Sequence, residues 1–261
     1  MKRIFLVLFF IELISSGVSA QNAVDKNGLK TGPWTVLYPD STIRYTATFK
    51  KGKPVGLMSR YNTDGSLAMT MNFIPGSDKC YVKTYSPNGE IEAEGLYVNQ
   101  QKDSVWNYLG PDGNIRMKEV YVNGSLEGLS ESFYPSGNKS REIFFENNVR
   151  NGEWIQFFES GDTMMYAIYQ DDQLHGPFHA YYPEGKDQIA GTYYFDLKDG
   201  DWKYFSEEGE LVTLIRYDKG EVLNPEVLEE SYEKFIKQTE ENLEDFPDPA
   251  LDNEPAEQPM N

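Results

Sequence analysis

Cysteine is nearly absent: Cys80 stands alone among 261 residues. One thiol gives no internal disulfide, no CxxC redox pair and no cysteine zinc site. Histidine is almost as scarce, with His175 and His179 only. On a strand their spacing holds them about 13 Å apart, too far for one metal ion. Acid–base catalysis near neutral pH therefore has few players. No G-x-S-x-G elbow or HExxH motif occurs, and no glycine is followed by the helix and lysine of a phosphate loop. These absences predict a non-enzyme with no metal and no cofactor.

Positive charge is also short: 24 Lys and Arg against 42 acids, a net of −18. Twelve acids against Lys234 and Lys237 fall in 225–261, which is −10, and residues 1–20 carry +1. That leaves about −9 for 21–224 by subtraction. An acidic body argues against nucleic acid and against membrane lipid, since both need clustered cations. It suits a protein partner, possible basic surfaces included. Long apolar runs are confined to the opening MKRIFLVLFFIELISSGVSA. Lys2 and Arg3, the apolar stretch Ile4 to Ile14 and the small residues Val18-Ser19-Ala20 have the order of a signal peptide. The run is short for a membrane span, Glu12 interrupts it, and no cysteine stands at the cut for a lipid anchor. The expectation is cleavage near Ala20 and a periplasmic or secreted protein.

What the chain does have is glycine, aromatics and a period. Stepping by 24 from Trp154 gives Trp34, Met58, Val82, Trp106, Ser130, Trp154, Phe178 and Trp202, here called position 0. Fifteen residues later stand Phe49, Phe73, Tyr97, Tyr121, Phe145, Tyr169, Tyr193 and Tyr217, aromatic in eight repeats of eight. Position −2 holds Gly32, Gly56, Cys80, Ser104, Gly128, Gly152, Gly176 and Gly200. Position +7 holds Ser41, then glycine in every later repeat.

Each unit reads as a β-hairpin. A short strand carries an aromatic or Leu at +3, and then a turn such as Ser86-Pro87-Asn88-Gly89 or Tyr182-Pro183-Glu184-Gly185 follows. Pro at its second place sets φ for a type I turn and Gly at its fourth takes the left-handed bulge. The second strand alternates, as in Leu67, Met69, Met71 and Phe73. A further turn near Gly52, Gly76, Gly124 or Gly220 ends the unit, and residues 25–33 look like the tail of a partial zeroth repeat. The expected fold is all-β: a single elongated, twisted antiparallel sheet of about eight hairpins and sixteen strands, with the +15 rings stacked as a ladder.

Words such as NGEWIQFFESG, HGPFHAYYPEG and DGDWKYFSEEGEL closely resemble the bacterial MORN repeat variant, with its G-x-W-x-x-Y-x-x-x-G pattern. The resemblance spans about residues 25–224. It implies a scaffold or binding surface without shared catalytic residues, and antitoxin or immunity partners of the YwqK kind are among similar proteins. Cys80, Val82, Ser104 and Ser130 depart from the pattern, marking a bend or a binding region.

Four units follow: a signal peptide at 1–20, the repeat domain at 21–224, an acidic amphipathic helix at 225–244 and a disordered acidic tail at 245–261. Asn224 and Pro225 would start the helix, and Val227, Leu228, Tyr232, Phe235 and Ile236 would line its apolar side against the last strand. The candidate binding surface is the second aromatic of a pair, at +4: Tyr38, Tyr134, Phe158 and Tyr182. Neighbours on a strand face opposite ways, so one of each pair is free to hold a protein strand or a glycan. The expected function is an exported protein-binding scaffold. An antitoxin-type partner and an envelope glycan-binding module are the alternatives.

Overall fold

The computed structural model describes residues 21–228. The expected signal peptide and acidic tail lie outside the described residues. The described chain is one open antiparallel sheet. Its strands are β1 (Ala23–Val24), β2 (Lys30–Leu37), β3 (Ile43–Lys50), β4 (Lys53–Tyr61), β5 (Leu67–Phe73), β6 (Lys79–Tyr85), β7 (Ile91–Val98), β8 (Gln101–Leu109), β9 (Ile115–Val122) and β10 (Ser125–Leu126). They continue as β11 (Gly128–Phe133), β12 (Lys139–Glu146), β13 (Val149–Phe157), β14 (Thr163–Gln170), β15 (Gln173–Leu174), β16 (Gly176–Tyr181), β17 (Asp187–Tyr194), β18 (Leu197–Phe205), β19 (Leu211–Asp218) and β20 (Glu221–Val222). The expected sixteen become twenty because β10 and β15 are the leading ends of strands interrupted before β11 and β16, while β1 and β20 finish the two edges.

The turns follow their residue chemistry. In Tyr38-Pro39-Asp40-Ser41 the Ser41 N–H donates to Tyr38 O at 3.0 Å, and Ser41 sits at φ +70°. Glycine occupies that bulge position in the other seven hairpins. Repeats are joined by tight two-residue turns such as Asn147-Asn148 (φ +52° and +68°) and Asp171-Asp172 (φ +50° and +64°). Positive φ at both residues is the type I′ turn, whose twist matches the flanking strands.

After each such turn the register slips by two, as where Ile143 faces Trp154 but Phe145 faces Arg150. The residue at −2 takes a left-handed conformation there, and Ser104 does so at φ +60° despite its side chain. The third repeat alone runs without the slip: Phe73 faces Cys80 in a regular ladder, and the turn Ile74-Pro75-Gly76-Ser77 takes up the difference. Cys80 thus replaces glycine where glycine has no task.

Register fixes two faces. Positions −4, −2, 0, +2, +11, +13 and +15 share one, and every buried apolar residue lies on it. This core face has two clusters. The larger runs from Ile143 through Trp154, Met165, Tyr169 and Phe178 to Trp202 and Ile215. The smaller joins Cys80, Val82, Ala93 and Trp106. Ser130, buried at position 0, separates them.

Beyond the +15 ladder that was expected, position 0 takes part in the ring packing and interleaves with +15. Trp202 packs on Phe178 at 5.4 Å, on Tyr193 at 5.0 Å and on Tyr217 at 6.3 Å. Each tryptophan leans back over the preceding repeat. A Cβ on Gly95 or Gly191 would come within 2.4 Å of the Trp106 or Trp202 ring, so glycine there is a seat for the indole. Lying flat, Trp106 Nε1 donates to Leu96 O at 3.1 Å and Trp202 Nε1 to Thr192 O at 3.0 Å. Beneath Trp154 the seat is filled by Ile143, and the buried Trp154 Nε1 has no partner.

A cation covers the rings from the other side. Lys30 lies 4.5 Å from the Trp34 ring centre, Lys102 4.9 Å from Trp106 and Lys198 4.6 Å from Trp202. Arg150 stands 4.2 Å from Tyr169, which packs on Trp154. All four are at position −4, and repeats lacking tryptophan have Pro54, Asp78, Leu126 and Leu174 there. Aliphatic stems shield the indoles while the charge meets the π-face.

Both sheet edges end in an asparagine side chain. Asn22 accepts from Thr35 N–H at 2.8 Å and donates to Thr35 O at 2.9 Å. Asn224 accepts from Arg216 N–H at 2.7 Å and donates to Leu214 O at 3.0 Å. Each carboxamide imitates the next strand and blunts an edge open to pairing. Asn224 was expected to cap a helix at 225–244; its side chain is spent on β19 instead. One 3₁₀ turn, Pro225–Leu228, follows it, and the rest of the expected helix lies outside the described residues.

Candidate functional site

The candidate aromatics stand at the first place of the hairpin turns. Tyr38 donates to Tyr61 O at 2.9 Å, Tyr134 to Phe157 O at 2.7 Å and Tyr182 to Phe205 O at 2.9 Å. Each hydroxyl thus ties one hairpin end to the next. Phe158 holds the same place without a hydroxyl. All four are half-buried, and Tyr134, Phe158 and Tyr182 hold the same place in three successive hairpins. Burial raises the Tyr134 and Tyr182 hydroxyls above the usual phenol range, so they stay donors.

The face opposite the core, made by −1, +1, +3, +9, +12 and +14, stays open. Column −1 gives Leu57, Tyr81, Val105 and Leu129 in successive repeats, exposed by 61, 60, 49 and 38%. Leu96, Val120 and Phe144 lie beside the last three across β7, β9 and β12. In the last three repeats the apolar run of column −1 ends, with Glu153, Pro177 and Asp201. This stripe was missed from sequence because both members of Leu57-Met58, Tyr81-Val82 and Val105-Trp106 are apolar, so alternation could not say which one faced the core.

Two clusters of titratable groups are built by the sheet. On the core face Lys102 Nζ donates to Tyr108 OH at 2.8 Å, and Tyr121 OH donates to Glu119 at 2.6 Å. Burial lowers the Lys102 ammonium and raises both phenols. Through Lys102 this network covers the Trp106 ring. On the open face His179 Nδ1 lies 3.3 Å from Asp187 and its ring stacks on Tyr181 at 5.8 Å. His175 packs instead on Phe195 at 4.5 Å, so the two histidines serve different contacts. Burial pushes the Cys80 thiol up, which keeps it protonated and unreactive. Among the described residues no group of three His, Cys, Asp or Glu could hold a metal ion.

The order of turn, bulge and ring repeats in every hairpin, and three of these units have a known counterpart. The third, fifth and eighth hairpins match the MORN repeat variant. The matched residues are 81–99, 126–147 and 198–219. Two of the matched units are repeats in which Val82 and Ser130 replace tryptophan, so the likeness rests on the turn frame more than on the indole. No curated protein matches the chain significantly. Among solved structures, a point mutant of S. aureus TarM in complex with fondaparinux, alpha-GlcNAc-glycerol and UDP is similar at 9% identity and TM-score 0.30, over 37% of this chain and 19% of that one. A second crystal structure of TarM gives 10% identity and TM-score 0.28, over 38% and 20%. The chain spans about a fifth of the length of those proteins, and the likeness carries no argument about function.

Proposed function

We propose that the protein is an exported, non-enzymatic repeat scaffold that binds another protein across its open face. The observation that carries this reading is the column Leu57, Tyr81, Val105 and Leu129, exposed in register on a chain of net charge −18. One apolar contact recurs every two strands, about 10 Å apart, a spacing that an extended or sheet-like partner can follow. An uncharged stripe on a chain of net negative charge favours a partner with an apolar centre and basic margins. An antitoxin-type role is the narrower form of the same reading, a one-to-one complex with an effector. The +4 aromatics then serve by fixing the spacing of the hairpins.

The test is cross-linking and pull-down of the mature protein from its own envelope fraction, beside a variant carrying Leu57→Ser, Tyr81→Ser and Val105→Ser. The reading expects one stoichiometric protein with the native chain, reduced at least tenfold with the variant while the thermal transition is kept. Equal recovery by both chains, or recovery of polysaccharide alone, overturns it.

A further inference from the structure

At the end of the sheet away from the apolar stripe, the open face carries a cleft of about 520 Å³ between the seventh and eighth hairpins. It is lined by His179, Tyr181, Lys186, Asp187 and Phe205, with Gly185 and Gly209 at the turn side. The volume falls within the range of small-ligand sites.

Its origin can be read from the columns. At +9, opposite +3 across the hairpin, repeats one to four and eight place Ile43, Leu67, Ile91, Ile115 and Leu211, and repeats five and six place Lys139 and Thr163. The seventh places Asp187 there, paired in register with Tyr181. A short carboxylate replaces an apolar plug, and the space between Tyr181 and Phe205 stays open. Those two rings come from adjacent hairpins, two strand spacings or about 10 Å apart. Between them stand the Asp187 carboxylate as acceptor, the His179 imidazole and the Tyr181 hydroxyl, which burial and then the Asp187 charge keep protonated.

We infer that this cleft is a subsite for a neutral saccharide, one pyranose ring held against Tyr181 or Phe205 with its hydroxyls on Asp187 and His179. A pyranose presents an apolar C–H face to an aromatic ring and donors at its rim to a carboxylate. The charge selects against acidic sugars and phosphates. Glu184, Glu207, Glu208 and Glu210 are exposed around the opening, and the one cation in the lining, Lys186, donates to Glu207 O at 2.7 Å.

The repeat supplies its own test variants, because neighbouring units already carry the substitutions. Asp187→Ile copies Ile91 or Ile115, and Tyr181→Leu copies Leu37 or Leu109, so both belong to the fold's own vocabulary. The probes are cellotriose, chitotriose and a sulfated trisaccharide, titrated into the mature protein and followed by the His179 ring resonances and by calorimetry. The inference expects a neutral trisaccharide to shift His179, with affinity reduced roughly tenfold or more in each variant and the melting temperature kept. It is overturned if neither neutral sugar moves His179, if the sulfated sugar binds as well, or if Asp187→Ile leaves affinity unchanged. A variant that loses its fold is replaced by Asp187→Asn, for which weakened binding of the neutral sugar supports the inference and unchanged binding overturns it. The apolar stripe is unaltered in all of these variants, so failure here leaves the protein-binding reading untouched.

Discussion

The last three repeats and the first two are built from the same hairpin but hold themselves together differently. In repeats six to eight, Trp154, Phe178 and Trp202 are fully or almost fully buried, and their neighbours Met165, Ala167, Ala180 and Ile215 close around them. In repeats one and two only Ala47 is buried, while Trp34 and Met58 remain partly open. The difference lies in neighbours rather than in the unit. Trp202 has rings from its own repeat and the one before, whereas Trp34 contacts Phe49 at 6.0 Å and has only the two-residue β1 behind it. In a quasi-one-dimensional array stability resides at the interfaces, so a unit at an end has half the support of one inside. The eighth repeat is also near an end; its glycine seat at Gly191 and the ring of Phe178 compensate.

The comparison breaks first at the tryptophans. Trp202→Ala is expected to cost about 3–5 kcal/mol, and Trp34→Ala about 1–2 kcal/mol because its ring is already partly in water. Urea denaturation followed by circular dichroism measures both. Equal losses would show that the two ends are equivalent. Native-state hydrogen exchange should agree, with amides of β2 to β4 opening before those of β16 to β18. The glycine seats come next. Gly191→Ala and Gly95→Ala each force an indole off its strand and are expected to cost about 1–3 kcal/mol, the former more because a larger cluster moves with Trp202. A blue-to-red shift in indole emission should accompany the loss.

The period, the hairpins, the type I turn with its bulge and the place of the second turn were legible in the sequence because turn residues act locally: Pro, Asn, Asp and Gly favour particular φ values wherever they stand. The faces were less so. A strand's parity is a relative quantity, and a bulge at −2 resets the pairing without changing the residue count, so the +4 tyrosines looked free when their hydroxyls were bound for the next repeat. The lid at −4 did leave a signal. Lys30, Lys102, Arg150 and Lys198 accompany the four tryptophans one for one, and reading that column beside position 0 would have found it. The cleft at Asp187 was visible only as one of three breaks in the apolar +9 column, beside Lys139 and Thr163, and its meaning needed the register that places it between two rings.

The two best-buried tryptophans offer a finer comparison. Trp202 Nε1 is satisfied by Thr192 O, whereas Trp154 Nε1 is buried without a partner above Ile143. Replacement by phenylalanine removes a made hydrogen bond in one case and an orphaned donor in the other. Trp202→Phe should therefore cost about 1–2 kcal/mol more than Trp154→Phe, although the rings are equally buried. Equal costs in the same denaturation series would mean that Trp154 finds a partner in solution.

The smallest expected effect concerns two departures from glycine in one column. Ser104 sits at φ +60° in the bulge, a conformation that costs a side-chain-bearing residue roughly 1 kcal/mol. Its hydroxyl bonds Asp103 at an exposed site, which offsets little of that. Ser104→Gly should stabilise by about 0.5 kcal/mol. Cys80 stands in a regular ladder with no positive φ, and its side chain is buried against Val82 and Trp106. Cys80→Gly should destabilise by about 1–2 kcal/mol through lost burial and a looser strand. The same change at equivalent positions is thus expected to act with opposite sign, because one repeat keeps the bulge and the other has moved it into the Ile74–Ser77 turn. Matching signs in thermal melts of the two variants would mean that the third repeat carries the same bulge as its neighbours.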